Sequence, residues 1–131
     1  WQGWMVMNQL HPPFNNPKVR QAILKAVEQD KFTAAMGHPK DLRVTQCSTF
    51  FICGGPYETF AGAEPWRTPD LAKAKELLAA SGYKGEKVVL LVPSDITYLN
   101  ALALMAAQTM KNMGMNVAQE IPGDKRQLTS Q

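Results

Sequence analysis

The run Pro12-Pro13-Phe14-Asn15-Asn16-Pro17, continued by Lys18-Val19-Arg20-Gln21-Ala22-Ile23, restricts the possible folds of this chain more than any other stretch. Pro12 and Pro13 cannot donate to a central sheet ladder, and each confines its predecessor to extended backbone, so a strand that precedes them stops here. Asn16 reads as an N-cap. Pro17 takes the first helical position, where its missing N–H costs nothing. Val19, Ala22, Ile23, Ala26 and Val27 then recur at helical spacing, while Lys18, Arg20, Gln21, Lys25 and Glu28 cover the opposite, solvated face.

A chain of 131 residues can bury roughly two-thirds of its unfolded surface in one core. With 45% hydrophobic and 19% charged residues the composition is globular, and no apolar run approaches the ~20 residues of a membrane-spanning helix. The net charge of +3 is dispersed among acids, as at Lys73, Lys75 and Glu76, which argues against nucleic acid as a partner. Residues 1–10 show no basic leader and no small-residue cleavage site; they read as strand interior, so the chain is expected to be a fragment of a longer protein whose targeting signal lies elsewhere.

Residues 3–9 favour a strand through Trp4, Val6 and a partial alternation. Asp30 can cap a second short helix through Met36, stopped by Gly37. Residues 38–69, rich in Pro and Gly and without a sustained period, read as a long irregular loop. Thr68-Pro69-Asp70 repeats the cap logic of Asn16-Pro17 ahead of a helix carried by Leu71, Ala74, Leu77 and Leu78 and ended by Ser81-Gly82. Residues 87–92 are a continuous apolar run, as expected of a strand with helices over both faces. Ser94 or Asp95 caps the longest helix, whose inward side is Leu99, Leu102, Ala103, Ala106, Met110 and Met113 before Gly114 ends it, and residues 115–120 form a last strand. The order predicts an α/β fold, a mostly parallel small sheet flanked by helices, with a right-handed crossover between the last two strands. Residues 1–120 make the domain; residues 121–131 are a polar tail with no pattern that commits to structure.

Cys47 and Cys53 are too far apart for a redox CxxC pair and have no His at zinc-ligand spacing. A disulfide requires the loop to fold back until the α-carbons lie within ~7 Å; two free buried thiols are the alternative. The Met residues at 105, 110 and 113 sit at helical spacing, which favours core filling over soft-metal ligation. His11 and His38 adjoin Pro12 and Pro39 in turns and lack a catalytic partner, and Gly54-Gly55 opens no helix as a phosphate loop would. No catalytic residue, metal or cofactor is expected. Phe50, Phe51 and Tyr57 are the candidates for ligand contact, since a loop can line a cleft with them; otherwise they pack the loop down, with Phe50 or Phe51 as its anchor.

The Pro12 to Ile23 run, then Asp70-Leu71-Ala72-Lys73-Ala74-Lys75-Glu76-Leu77-Leu78 with Ser81-Gly82-Tyr83, then Met113-Gly114-Met115-Asn116-Val117, resembles the family 5 extracytoplasmic solute-binding proteins, the dipeptide- and oligopeptide-binding receptors of ABC importers. The resemblance implies one lobe, the second, of a periplasmic-binding-protein-like type II fold, and a fragment of a receptor that captures a peptide or other small solute and presents it to a membrane permease. It implies a periplasmic or extracytoplasmic location. Its Cys47…Phe50-Phe51…Cys53-Gly54…Pro56 segment is similar to one subgroup and favours a Cys47–Cys53 disulfide. In such receptors the extended residues before the Pro12 run lie near the crossing between lobes, which makes Asn8 a further candidate and residues 8–13 a hinge-adjacent segment. The rival readings are a small thiol-dependent α/β enzyme and a free-standing interaction domain.

Overall fold

The computed structural model describes residues 3–44 and 46–121. Its elements are α1 (Pro17–Ala26), α2 (Gln29–Ala35), α3 (Leu71–Ala80), β1 (Val88–Leu91), α4 (Thr97–Asn112) and β2 (Val117–Glu120), with single 3-10 turns at Lys40–Leu42 and Glu64–Trp66 inside the long loop. β1 and β2 are parallel, Val88 opposite Val117 and Leu91 opposite Glu120. From α1 onward this is the α/β order expected.

Asn16 begins α1 as its side chain dictates: Oδ1 accepts the Lys18 N–H at 2.9 Å, and Pro17 follows as the first helical residue. The same side chain has a second role, since Nδ2 donates to Ser81 O at 2.8 Å, at the C-terminal end of α3. At the other end of the pair the Asp70 N–H donates to Lys25 O at 2.9 Å. α1 and α3 therefore lie antiparallel and are bonded at both ends. Between the bonds, Ala22 and Ala74 are fully buried, and side chains this small let the two backbones approach closely. Ile23, only 2% exposed, joins Val19, Leu78, Val88, Met110 and Met113 in one core; burying a side chain of its size contributes about 1.5–3 kcal/mol. Met110 and Met113 are core, as their spacing implied.

The cap of α3 is Asp70, whose Oδ1 accepts the Lys73 N–H at 2.9 Å. Thr68-Pro69 lies just outside the helix, so the analogy with Asn16-Pro17 was shifted by two residues. α2 begins after Glu28, with Asp30 in its first turn instead of at the cap. α4 begins after Ile96 with no side-chain cap; Asn100 Nδ2, donating to Pro93 O at 2.9 Å, fastens the preceding turn, which is why Ser94 and Asp95 do not start the helix. Its end follows the expected rule: Gly114 takes φ +97°, and the Met115 N–H reaches back to Met110 O at 3.0 Å. That pattern closes the last turn and aims the chain into β2.

Two expectations fail for one reason. Residues 3–8 form no strand, and Trp4 and Val6 are 75% and 92% exposed, although Met7 packs on the core. Only one face of β1 is covered: Val88 and Val92 are buried, whereas Val89 and Leu91 are 44% and 61% exposed. Residue type proposes a strand and a buried face, but a strand exists only against a partner and a face is buried only by what packs on it. Lys25 also departs from the solvated face, because its Nζ donates to Pro65 O at 2.9 Å and Thr68 O at 2.7 Å, tying the end of the loop to α1. In the expected tail only Ile121 is described; residues 122–131 lie outside the described residues.

Candidate functional site

Between α2 and α3 the chain has too little apolar periodicity to build regular structure, so specific side chains must hold it. Cys47 and Cys53 are joined, with 5.8 Å between their α-carbons. Gln29, the first residue of α2, binds both polar groups of the Cys47 backbone: Nε2 donates to Cys47 O at 2.6 Å, and Oε1 accepts the Cys47 N–H. A side-chain amide used in this way imitates a neighbouring strand. Thr49 Oγ1 donates to Phe51 O and lies 3.8 Å from each sulfur, filling the inside of the ring. Beyond Cys53, Gly54 takes φ +79°, the Gly55 N–H closes a turn on Ile52 O at 3.1 Å, and Glu58 Oε2 accepts the Gly54 N–H at 3.2 Å. Gly55 relieves crowding, since a Cβ there would meet Ile52 O at a tight 3.0 Å.

This scaffold holds three rings outward. Phe50 and Phe51 meet edge to face with centroids 5.4 Å apart, and Phe51 and Tyr57 are tilted at 6.0 Å. Phe50, Phe51 and Tyr57 are 79%, 49% and 74% exposed, so the anchoring expected of a phenylalanine falls to Gln29 and the disulfide. The structure brings these three candidates together. Asn8 is not joined to them through its side chain, whose Oδ1 accepts the Leu10 N–H at 3.1 Å within a local turn. Gln29 was missed: its partner is 18 residues away, and nothing in the local sequence marks the pairing.

The remainder of the loop repeats the theme of an aromatic surface held by polar bonds. Arg67 stacks over Phe60 with Cζ 4.5 Å from the ring centroid, and its Nη1 lies 3.8 Å from Glu64 Oε2. At the front of the loop, Arg43 donates from Nε to His38 O at 2.7 Å and pairs through Nη1 with Asp30 at 3.7 Å. Among the described residues no group of three or more His, Cys, Asp or Glu is placed to hold a metal. A cavity of about 70 Å³ between Phe32, Leu71 and Met105 is far below the ~300 Å³ at which ligand pockets begin. With its three rings this exposed, the aromatic platform is an open wall.

Parallel strands joined through a helix, with a helical pair packed beside them, make a small α/β unit, and the solved structures that match it have the periplasmic-binding-protein type II fold. The crystal structure of CtaP, an ABC transporter substrate-binding protein of Listeria monocytogenes, matches 92% of the chain with a TM-score of 0.71 and 24% identity, a likeness of fold alone. AgaA of Agrobacterium tumefaciens, solved in complex with agropinic acid, matches 85% with a TM-score of 0.69 and 27% identity. Residues 1–131 match the family described as "Bacterial extracellular solute-binding proteins, family 5 Middle", and the chain belongs to that family. A curated relative from Sinorhizobium fredii, described as a "Probable peptide ABC transporter periplasmic-binding protein", is 33% identical over 126 residues, 95% of this chain. The chain spans about a quarter of these relatives: 23% of the Sinorhizobium protein, 24% of CtaP and 22% of AgaA.

Proposed function

We propose that this chain is part of a peptide-type solute-binding protein that captures its ligand outside the cytoplasm and delivers it to the permease of an ABC importer. The 33% identity to a periplasmic peptide-binding protein across 95% of the chain is the observation that carries the reading. The open aromatic wall supports it, because a two-lobed receptor needs a half-cleft on each lobe and encloses its ligand only on closure. The disulfide supports an oxidising compartment. With both sulfurs in that bond, the thiol-dependent enzyme reading loses its nucleophile.

In this reading residues 1–120 belong to the second lobe, residues 38–69 carry the ligand-facing loop with Phe50, Phe51 and Tyr57, and residues 8–13 with Asn8 lie beside the crossing between lobes. Calorimetry of the complete protein with a mixed dipeptide library is the test. Saturable heat from a subset of peptides is expected, and its absence, with sugars and metal complexes equally silent, refutes capture. Residues 1–131 alone should bind the same peptides at least about 100-fold more weakly, since a half-cleft leaves the ligand in water; equal affinity would contradict the half-cleft.

A further inference from the structure

We infer that the rings of Phe50, Phe51 and Tyr57, together with the Glu58 carboxylate, form a subsite for a cationic side chain of the bound peptide, a guanidinium above all. The inference rests on the peptide-capture reading and adds the chemistry of one ligand residue.

The rings alone would accept any apolar group. Glu58 narrows the choice. It directly follows Tyr57 in the chain, its Oε2 accepts the Gly54 N–H at 3.2 Å, and it joins none of the ion pairs among the described residues. Glu58 is exposed, and a carboxylate can accept more bonds than the one from Gly54. Of the cations near the α2 end of the loop, Arg43 is engaged by Asp30 at 3.7 Å and His38 O at 2.7 Å, and Lys31 by Glu28 at 2.7 Å. Three exposed rings, with the Glu58 carboxylate one residue beyond Tyr57 and outside every ion pair of the described residues, offer groups complementary to a planar cation.

The loop contains its own example of this recognition. At Phe60, a guanidinium from Arg67 lies 4.5 Å from the ring centroid and 3.8 Å from the carboxylate of Glu64. Tyr57 and Glu58, neighbours in the chain, again supply a ring and a carboxylate, and Glu58 joins no ion pair among the described residues. A peptide bringing an arginine completes the trio. A ligand phenylalanine would use the rings and leave Glu58 idle; a ligand glutamate would be repelled by it.

Calorimetry of the complete protein with Ala-Arg-Ala, Ala-Phe-Ala and Ala-Glu-Ala decides the matter. Ala-Arg-Ala should bind about 5- to 30-fold tighter than Ala-Phe-Ala, the range a partly desolvated cation–π contact supplies, with Ala-Glu-Ala weakest. Glu58→Gln should shrink the Arg-over-Phe ratio to below about 3-fold while leaving Ala-Phe-Ala unchanged, and Tyr57→Leu should weaken both. Both positions are exposed, so neither change threatens the fold. Equal affinities for the three peptides, or a preference for Arg that survives Glu58→Gln, overturns the subsite and leaves peptide capture standing. Failure of all three peptides to bind overturns the subsite; capture itself falls only if the mixed dipeptide library, sugars and metal complexes are silent as well.

Discussion

Asn16 makes two bonds that chemistry can separate. Its Oδ1 caps α1 through the Lys18 N–H, and its Nδ2 holds Ser81 O at the far end of α3, the latter partly buried. Serine can cap but cannot reach α3; alanine can do neither. Loss of an N-cap costs about 1 kcal/mol, and loss of one neutral, partly buried hydrogen bond costs about another 1 kcal/mol. Asn16→Ser should therefore destabilise by roughly 1 kcal/mol and Asn16→Ala by roughly 2 kcal/mol. For a chain of this length those losses lower the melting temperature by about 4 and 8 °C. Urea unfolding followed by far-UV circular dichroism gives both values, and an unchanged slope assigns them to the native state. If Asn16→Ser matches wild type, the bond to Ser81 stabilises nothing; if it matches Asn16→Ala, the cap stabilises nothing.

Ile23→Asp should abolish cooperative unfolding, since it places an unpaired charge in a fully enclosed position of the core. Lys25→Ala should cost only about 1 kcal/mol yet speed proteolysis between α2 and α3, because Nζ holds Pro65 O and Thr68 O; unaltered cleavage would refute that tie. Gln29→Leu should raise hydrogen exchange at the Cys47 amide by roughly 5- to 30-fold, the loss of a bond of about 1–2 kcal/mol, and mass spectrometry of that peptide reads it directly. The Glu86 carboxyl is held below its ordinary 4.5 by the N–H of Lys84 and then by its own N–H. A lowered carboxylate value favours the folded turn above pH 4.5 and loses that contribution as pH falls through the folded value. The Lys84 amide shift should accordingly follow a titration midpoint below 4.5, absent in Glu86→Gln; a midpoint at or above 4.5 would contradict the bond.

What could be foreseen divides along the range of the forces. α1 was legible because cap, proline and apolar period sit within one short stretch, and the ending of α4 was legible because Gly114 signals it locally. The cap of α4 was not, since Asn100 draws Pro93 into a turn that shifts the start to Thr97. A strand at residues 3–9 and helices over both faces of β1 were over-read, because alternation and apolarity state what a segment can do and not what lies opposite it. At the candidate site, the three aromatic residues and the cystine could be named in advance. Their support by Gln29 could not, as a glutamine at the start of a helix carries no mark of a partner in a distant loop. Lys25 was misjudged similarly: its position on the helix face was right, but the carbonyls that it collects arrive from residues far along the chain.

The double fastening of α1 to α3 constrains how the two helices can move. Packed helices commonly slide past one another by an ångström or two during domain closure. Here a displacement along the shared axis would stretch the Asn16–Ser81 and Asp70–Lys25 bonds together, one at each end. The pair behaves as a riveted beam. In the proposed receptor, closure would accordingly turn the two helices as one body, with no sliding between them.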